Sequence, residues 1–193
     1  MESLVGPNRC LVLTGDVSNP KDVDHAFAQV KSYWGPIDIL VNNAAMIQNK
    51  KITEQTAEDW DRLMAVNVRG TFLCTQQAFQ QMSAAQKTGS IVNLSSLGGL
   101  RHTEKFPGFS AYTASKHAIV GFTEASAAEG KALGIRVNCV APGAVDTRML
   151  REAAPGLKTK TLPEEIAQLI VYLCDEARSK PLNGAVIEVN TNE

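Results

Sequence analysis

The sequence predicts an α/β protein with a largely parallel sheet, on two observations. Short apolar runs alternate with longer segments of helical periodicity from one end of the chain to the other, the pattern of repeated β-α units. Turn and cap signals fall between them: Asn19-Pro20 before one helix, Gly35-Pro36 after it, and Pro163 with two glutamates opening another. In order, Cys10 to Thr14 is a short apolar strand. A helix begins at Asn19-Pro20 and carries Val23, Phe27, Val30 and Trp34 at helical spacing. Ile37 to Val41 is apolar nearly throughout, as expected of a strand covered on both faces. A long helix follows from about Ala57 to Met82 with Asn67 inside it, a residue whose amide competes for backbone groups. Ser90 to Leu94 is a strand, Ser110 to Ala132 a helix, Ile135 to Val140 a strand, Pro163 to Glu176 a helix, and Ala185 to Val189 the last strand. No repeat, low-complexity tract or linker interrupts the series, so residues 1–193 are expected to form a single domain.

Composition narrows the function classes. A net charge of −1 with no basic run argues against nucleic acid or an anionic membrane as partner. No apolar stretch reaches bilayer length and the N-terminus has no signal-peptide core. Cys10, Cys74, Cys139 and Cys174 are widely spaced without a Cys-x-x-Cys, which suits reduced thiols in a cytoplasmic protein. His25, His102 and His117 form no ligand pattern, so no metal site is expected.

The residues that carry chemistry are Tyr112 and Lys116, four apart in a helical run and hence on one helix face. A cation beside a phenol favours the phenolate, and a Tyr tuned downward can exchange a proton with a carbonyl or alcohol oxygen near neutral pH. Around the pair stand Val41-Asn42-Asn43-Ala44-Ala45, Asn67 within Met64-Ala65-Val66-Asn67-Val68, Ser95-Ser96 at the end of a strand, and Arg136-Val137-Asn138-Cys139-Val140-Ala141-Pro142-Gly143 with Thr147 beyond.

In this order and spacing the motifs resemble the classical short-chain dehydrogenase/reductase family, from about Cys10 to about Val189. The resemblance implies a Rossmann-like three-layer α/β/α fold of about five strands. It implies hydride transfer between NAD or NADP and a small carbonyl or secondary alcohol, in a homodimer or homotetramer. Tyr112 would be the general acid/base, and Lys116 would lower its pKa and hold the nicotinamide ribose. Ser96 would bond the substrate oxygen, in preference to Ser95. Asn67 would anchor a water leading from Lys116 to solvent. On the cofactor side Asp16 and Val17 would contact the adenine and Asn42 and Ala44 the adenosine ribose, while Pro142, Gly143, Val145 and Thr147 would face the nicotinamide.

The chain also departs from the family. The glycine-rich turn that receives the pyrophosphate is missing: Thr14-Gly15 runs into Asp16-Val17-Ser18-Asn19-Pro20 with no further glycine. The domain therefore reads as truncated at its N-terminus by about two β-α units of roughly 30 residues each. The loss would leave either a gap beside Ile37 to Val41, hence a bare apolar edge, or a new pairing with Cys10 to Thr14. It also raises an alternative function, a non-catalytic relative deficient in cofactor binding that associates with a partner subunit. Arg101, His102, Glu104 and Lys105 sit in a longer segment before Tyr112 that reads as a solvated loop or a pocket rim. The 147–162 segment, with Pro155-Gly156, reads as a short mobile flap.

Overall fold

The computed structural model describes residues 9–191. Four parallel strands form its sheet in the order β1 (Ile39–Asn42), β2 (Gly89–Leu94), β3 (Ile135–Pro142) and β4 (Val186–Val189). Helix α1 (Pro20–Trp34) precedes β1. Between β1 and β2 lie α2 (Ala57–Met64) and α3 (Gly70–Ala84), and between β2 and β3 lies α4 (Ser110–Gly130). After β3 come α5 (Arg148–Ala153), α6 (Pro163–Cys174) and the single turn α7 (Glu176–Ser179).

Alternation along β2 divides the core in two. Ile91 faces Ala78 and Met82 of α3 and Ala127 of α4, with Phe27 of α1 and Leu40 of β1 packed against them. Val92 points the other way, into Val140, Ile166 and Leu173, where α6 covers the sheet. The three-layer α/β/α arrangement expected from the sequence is thus present.

Three expectations need correction. Among the described residues the sheet has four strands rather than five, because 10–14 forms no ladder and leaves Val12 59% exposed. Of the two outcomes considered for β1, the structure has the gap and not the new pairing. Nor is β1 covered on both faces: Ile39 is 49% and Val41 38% exposed. The register explains this. Leu40 pairs with Ile91 and shares its covered face, whereas Val41 pairs with Val92 and shares the face that α6 covers only farther along the sheet. Finally, the long helix is not uniform. Thr56 caps α2 in a capping box with Asp59, but a π turn over Ala65–Arg69 separates α2 from α3. The cause lies in the side chain at its centre.

Candidate active site

Asn67 occupies the middle of that π turn, buried, and its amide is fully engaged. Oδ1 accepts from the Met46 N–H at 2.8 Å, while Nδ2 donates to the Met46 carbonyl and to Ser115 Oγ, both at 2.9 Å. The turn is therefore pinned to the loop after β1 on one side and to α4 on the other, which accounts for the local widening of the helix.

Tyr112 and Lys116 project from the first turns of α4, as the spacing predicts. Lys116 Nζ lies 5.7 Å from the Tyr112 ring centroid, within reach of a cation–π contact, and donates to the Leu94 carbonyl at 2.7 Å. Burial pushes the Lys116 ammonium down to about 8, with Cys139 pulling slightly upward. The same burial pushes the Cys139 thiol up to about 11. Tyr112 moves opposite to the expectation. Removal of the phenol from water raises its pKa, and the Ser96 hydroxyl beside it offsets only part of that. The lysine sits over the face of the ring and spends a proton on Leu94, so desolvation outweighs it.

Ser96 leads the strand end into a single 3-10 turn over Leu97–Gly99, where its Oγ accepts from the Gly98 N–H at 3.2 Å. Ser95, its rival in the sequence, faces the other way and donates to the Lys116 carbonyl at 2.8 Å. Asn67, Ser96, Tyr112 and Lys116 are thus gathered around the start of α4 and the carboxyl end of β2, where open parallel sheets bind ligands.

The residues expected to meet a dinucleotide fall into two groups. Asp16 accepts from the Ser18 N–H and hydroxyl, each at 2.8 Å, which hold its carboxyl below the usual range; desolvation opposes the shift and Arg62 and Arg69 add to it. Val17 presses on the start of α3, where a Cβ on Gly70 would lie 2.7 Å from Val17 Cγ2. Val17 and Gly70, with Asn42, Ala44, Thr71 and Cys74, line a slit of about 10 Å³, close to the least room one water needs. The Asn42 amide is turned inward, donating to Thr75 Oγ1 at 3.1 Å and to Asn93 Oδ1 at 2.8 Å. Asn93 in turn donates to Thr123 Oγ1 on α4 at 2.9 Å. In the second group, Pro142 ends β3, the Gly143 N–H donates to Val189, Val145 packs into the α6 side of the core, and Thr147 caps α5.

These groups fit the two ends of a nicotinamide dinucleotide better than its middle. Tyr112, Lys116 and the 142–147 segment offer a hydroxyl, an ammonium and backbone groups to a ribose and a carboxamide. For the pyrophosphate, the first turn of α1 offers little: Asn19 Oδ1 takes the Lys21 N–H, and Asp22 lies beside Asp16. Two carboxylates there oppose an anion.

Around the site, the 147–162 segment contains α5 and is tied down. Asn49 Nδ2 donates to the Ala153 carbonyl at 3.2 Å, Asp146 N donates to Thr161, and Thr159 Oγ1 donates to Ala144. Lys50 pairs with Asp59, which anchors the loop carrying Asn49 to α2. In the loop before Tyr112, Lys105 bonds carbonyls of its own loop and His102 meets Glu188 at 3.0 Å, while Arg101 and Glu104 are exposed. A wider depression of about 280 Å³ lies between the starts of α2 and α4, lined by Ile52, Thr56, Trp60 and Ser110 among others. It adjoins α4 without including Tyr112 or Ser96. Sequence reasoning missed the Leu94 carbonyl, Met46 and Ser115. Ser115 carried a signal, lying between Tyr112 and Lys116, whereas backbone ligands carry none.

Among the described residues no group of three or more His, Cys, Asp or Glu could hold a metal ion, and no helix is long and apolar enough to cross a membrane.

The family description "short chain dehydrogenase" matches residues 3–158. Among similar proteins, a 3-oxoacyl-[acyl-carrier-protein] reductase of Synechocystis sp. is 31% identical, over 98% of this chain and 78% of its own. A second, from Thermotoga maritima, is 34% identical over 91% and 73%. A sorbitol dehydrogenase of Cereibacter sphaeroides is 39% identical over 74% of this chain and 54% of its own. Together with the parallel sheet and the site at its carboxyl edge, these likenesses show that the chain belongs to the short-chain dehydrogenase/reductase family of NAD(P)-dependent oxidoreductases.

Proposed function

We propose that the chain reduces a carbonyl, or oxidises the corresponding secondary alcohol, with Tyr112 as the acid/base. The observation that carries this reading is the placement of Lys116 Nζ 5.7 Å from the Tyr112 ring centroid, with Ser96 beside the phenol. The nicotinamide, when bound, supplies or accepts the hydride. The protein's part is the proton. The raised pKa keeps the Tyr112 phenol protonated at neutral pH, ready to protonate a carbonyl oxygen as negative charge grows there. Ser96 Oγ, on the rigid strand end, donates to that same oxygen and orients it. The Lys116 ammonium stabilises the phenolate left behind. Asn67 acts from the π turn, holding Met46 and Ser115 in place around α4, and a water on its flank would return the proton. Asp16, Val17, Asn42 and Ala44 would line the adenosine end, and Pro142, Gly143, Val145 and Thr147 the nicotinamide end.

The named relatives act on unlike molecules, a 3-oxoacyl-[acyl-carrier-protein] and sorbitol, so the substrate is proposed only as a carbonyl/alcohol pair. The four free cysteines suit a cytoplasmic setting. The partly exposed Phe72 and its edge-on partner Phe122, on α3 and α4, suit a homodimer or homotetramer of single-domain chains.

A second reading, a non-catalytic member that leans on a partner subunit, is favoured by the uncovered face of β1 and by the carboxylates at the start of α1. Calorimetric titration of the purified chain with NADH and with NADPH separates the two. Saturable micromolar binding of either, with a Tyr112→Phe variant that binds equally but turns over about 10²–10⁴-fold more slowly, supports the enzyme. A folded chain that binds neither supports the second reading.

A further inference from the structure

We propose that Ser95 is a positioning residue for Lys116: its hydroxyl fixes the catalytic helix at that lysine and so sets where the ammonium meets the Tyr112 ring. The inference rests on the reading of Lys116 as the cation that serves Tyr112. Ser95 is 5% and Lys116 4% exposed, and Ser95 Oγ donates to the Lys116 backbone carbonyl at 2.8 Å. That carbonyl lies inside α4 and already has a helical partner, so the bond to Ser95 occupies its second lone pair. A bond made at that lone pair ties the strand end to one point on the helix and limits rotation of the helix about its axis.

The tie is one of three that converge on this lysine. Leu94, the residue before Ser95, accepts from Lys116 Nζ at 2.7 Å, so consecutive residues of the strand end hold the side-chain head and the backbone carbonyl of one lysine. Ser95 itself is anchored, since its N–H donates to the Val140 carbonyl on β3 at 2.8 Å. On the far side the 3-10 turn closes against the same backbone. A Cβ on Gly99 would lie 2.6 Å from the Lys116 carbonyl carbon and 2.7 Å from its oxygen. Only a glycine admits that approach, and the turn it belongs to starts at Ser96. Ser95 therefore joins the two catalytic segments, the Ser96 turn and the Tyr112 helix. The titratable groups that face the ammonium are Tyr112 on its own helix and Cys139 on β3.

Loss of the hydroxyl lets α4 turn slightly, releases Nζ from Leu94 and brings it nearer to water, so the Lys116 pKa climbs from about 8 toward its ordinary value of 10.5. The test is NMR titration of the full chain carrying ¹³Cε-lysine, comparing the parent with Ser95→Ala and Ser95→Thr. Ser95→Ala is expected to raise the Lys116 midpoint by about one unit, a tenfold change in its acid constant, and Ser95→Thr to restore it. Should Ser95→Ala fail to fold, Ser95→Cys keeps the volume with a weak donor and is read the same way. A midpoint that stays at the parent value in a folded variant without the hydroxyl overturns the proposal. The titration needs neither cofactor nor turnover, so an inactive chain would sink the proposed reaction and leave this result standing. Where turnover is present, the limb of its pH profile due to Lys116 moves with the midpoint.

Discussion

Two neighbouring strands of one sheet carry nearly identical residues to opposite fates. Ile91 on β2 is fully buried, while Ile39 on β1 is 49% exposed. Both are isoleucines in a parallel ladder, so neither residue type nor hydrogen bonding separates them. Coverage does. Helices α3 and α4 lie over Ile91, whereas Ile39 points to the opposite face, where α6 packs on β2 and β3 and leaves β1 open. A strand's apolar character states what it could bury, and the layer above it decides what it does bury. The proposed chemistry follows the same division: Ser96, Tyr112 and Lys116 belong to the covered half and Asp16 and Val17 to the open flank, while Asn42 turns inward between them.

The sharpest way to break this comparison is to delete the same side chain twice. Ile91→Ala opens a cavity in a filled layer and is expected to cost about 2–5 kcal/mol. Ile39→Ala removes a half-solvated side chain and should cost under about 1 kcal/mol. Equal losses in urea unfolding would mean that β1 is as well covered as β2.

Lys116→Met sharpens it within the covered half. Its pKa is depressed on folding, from an ordinary 10.5 to about 8, because burial disfavours the cation. At pH 7 the folded chain therefore bears the full cost of a buried charge. That cost fades as pH rises from about 8, since the unfolded chain then holds more protons than the folded one. The Met variant is expected to be more stable at pH 7 by about 1–2 kcal/mol while losing turnover, and to lack the parent's gain between about pH 8 and 10. Thermal melts across that range check it. A Met variant less stable than the parent at pH 7 would show that the bond to Leu94 outweighs desolvation.

The smallest effect belongs to the open flank. Ile39→Lys should leave the melting free energy within about 0.5 kcal/mol. Light scattering should nonetheless show less self-association, because a charge on a bare edge discourages strand pairing between chains.

Much of this was legible in the sequence. The bounds of α1 followed from Asn19-Pro20 and Gly35, the face shared by Tyr112 and Lys116 followed from a spacing of four, and a bare apolar edge at β1 was one of the two outcomes that the sequence left open. Three features were not legible, each for a physical reason. The segment at Cys10 to Thr14 has strand composition, but a strand exists only with a neighbour, and no neighbour bonds it among the described residues. The π turn at Asn67 depends on Met46 and Ser115, 21 and 48 residues away in the chain. The direction of the Tyr112 shift depends on burial against the angle at which the lysine approaches, and spacing encodes neither.

The bonded series Asn42–Asn93–Thr123 has a consequence for how this chain can change over generations. Each member satisfies the next across β1, β2 and α4, and Asn93 and Thr123 are sealed from solvent. Changing any one alone strands a partner's polar group, at about 1–3 kcal/mol, while replacing all three together with Thr75, which also accepts from Asn42, by apolar residues of similar shape can be nearly neutral. The trio therefore acts as a unit in energy, a shallow valley that single substitutions cannot cross cheaply. It ties β1 to α4 through buried polar groups, even though Ile39 and Val41 of that strand face solvent.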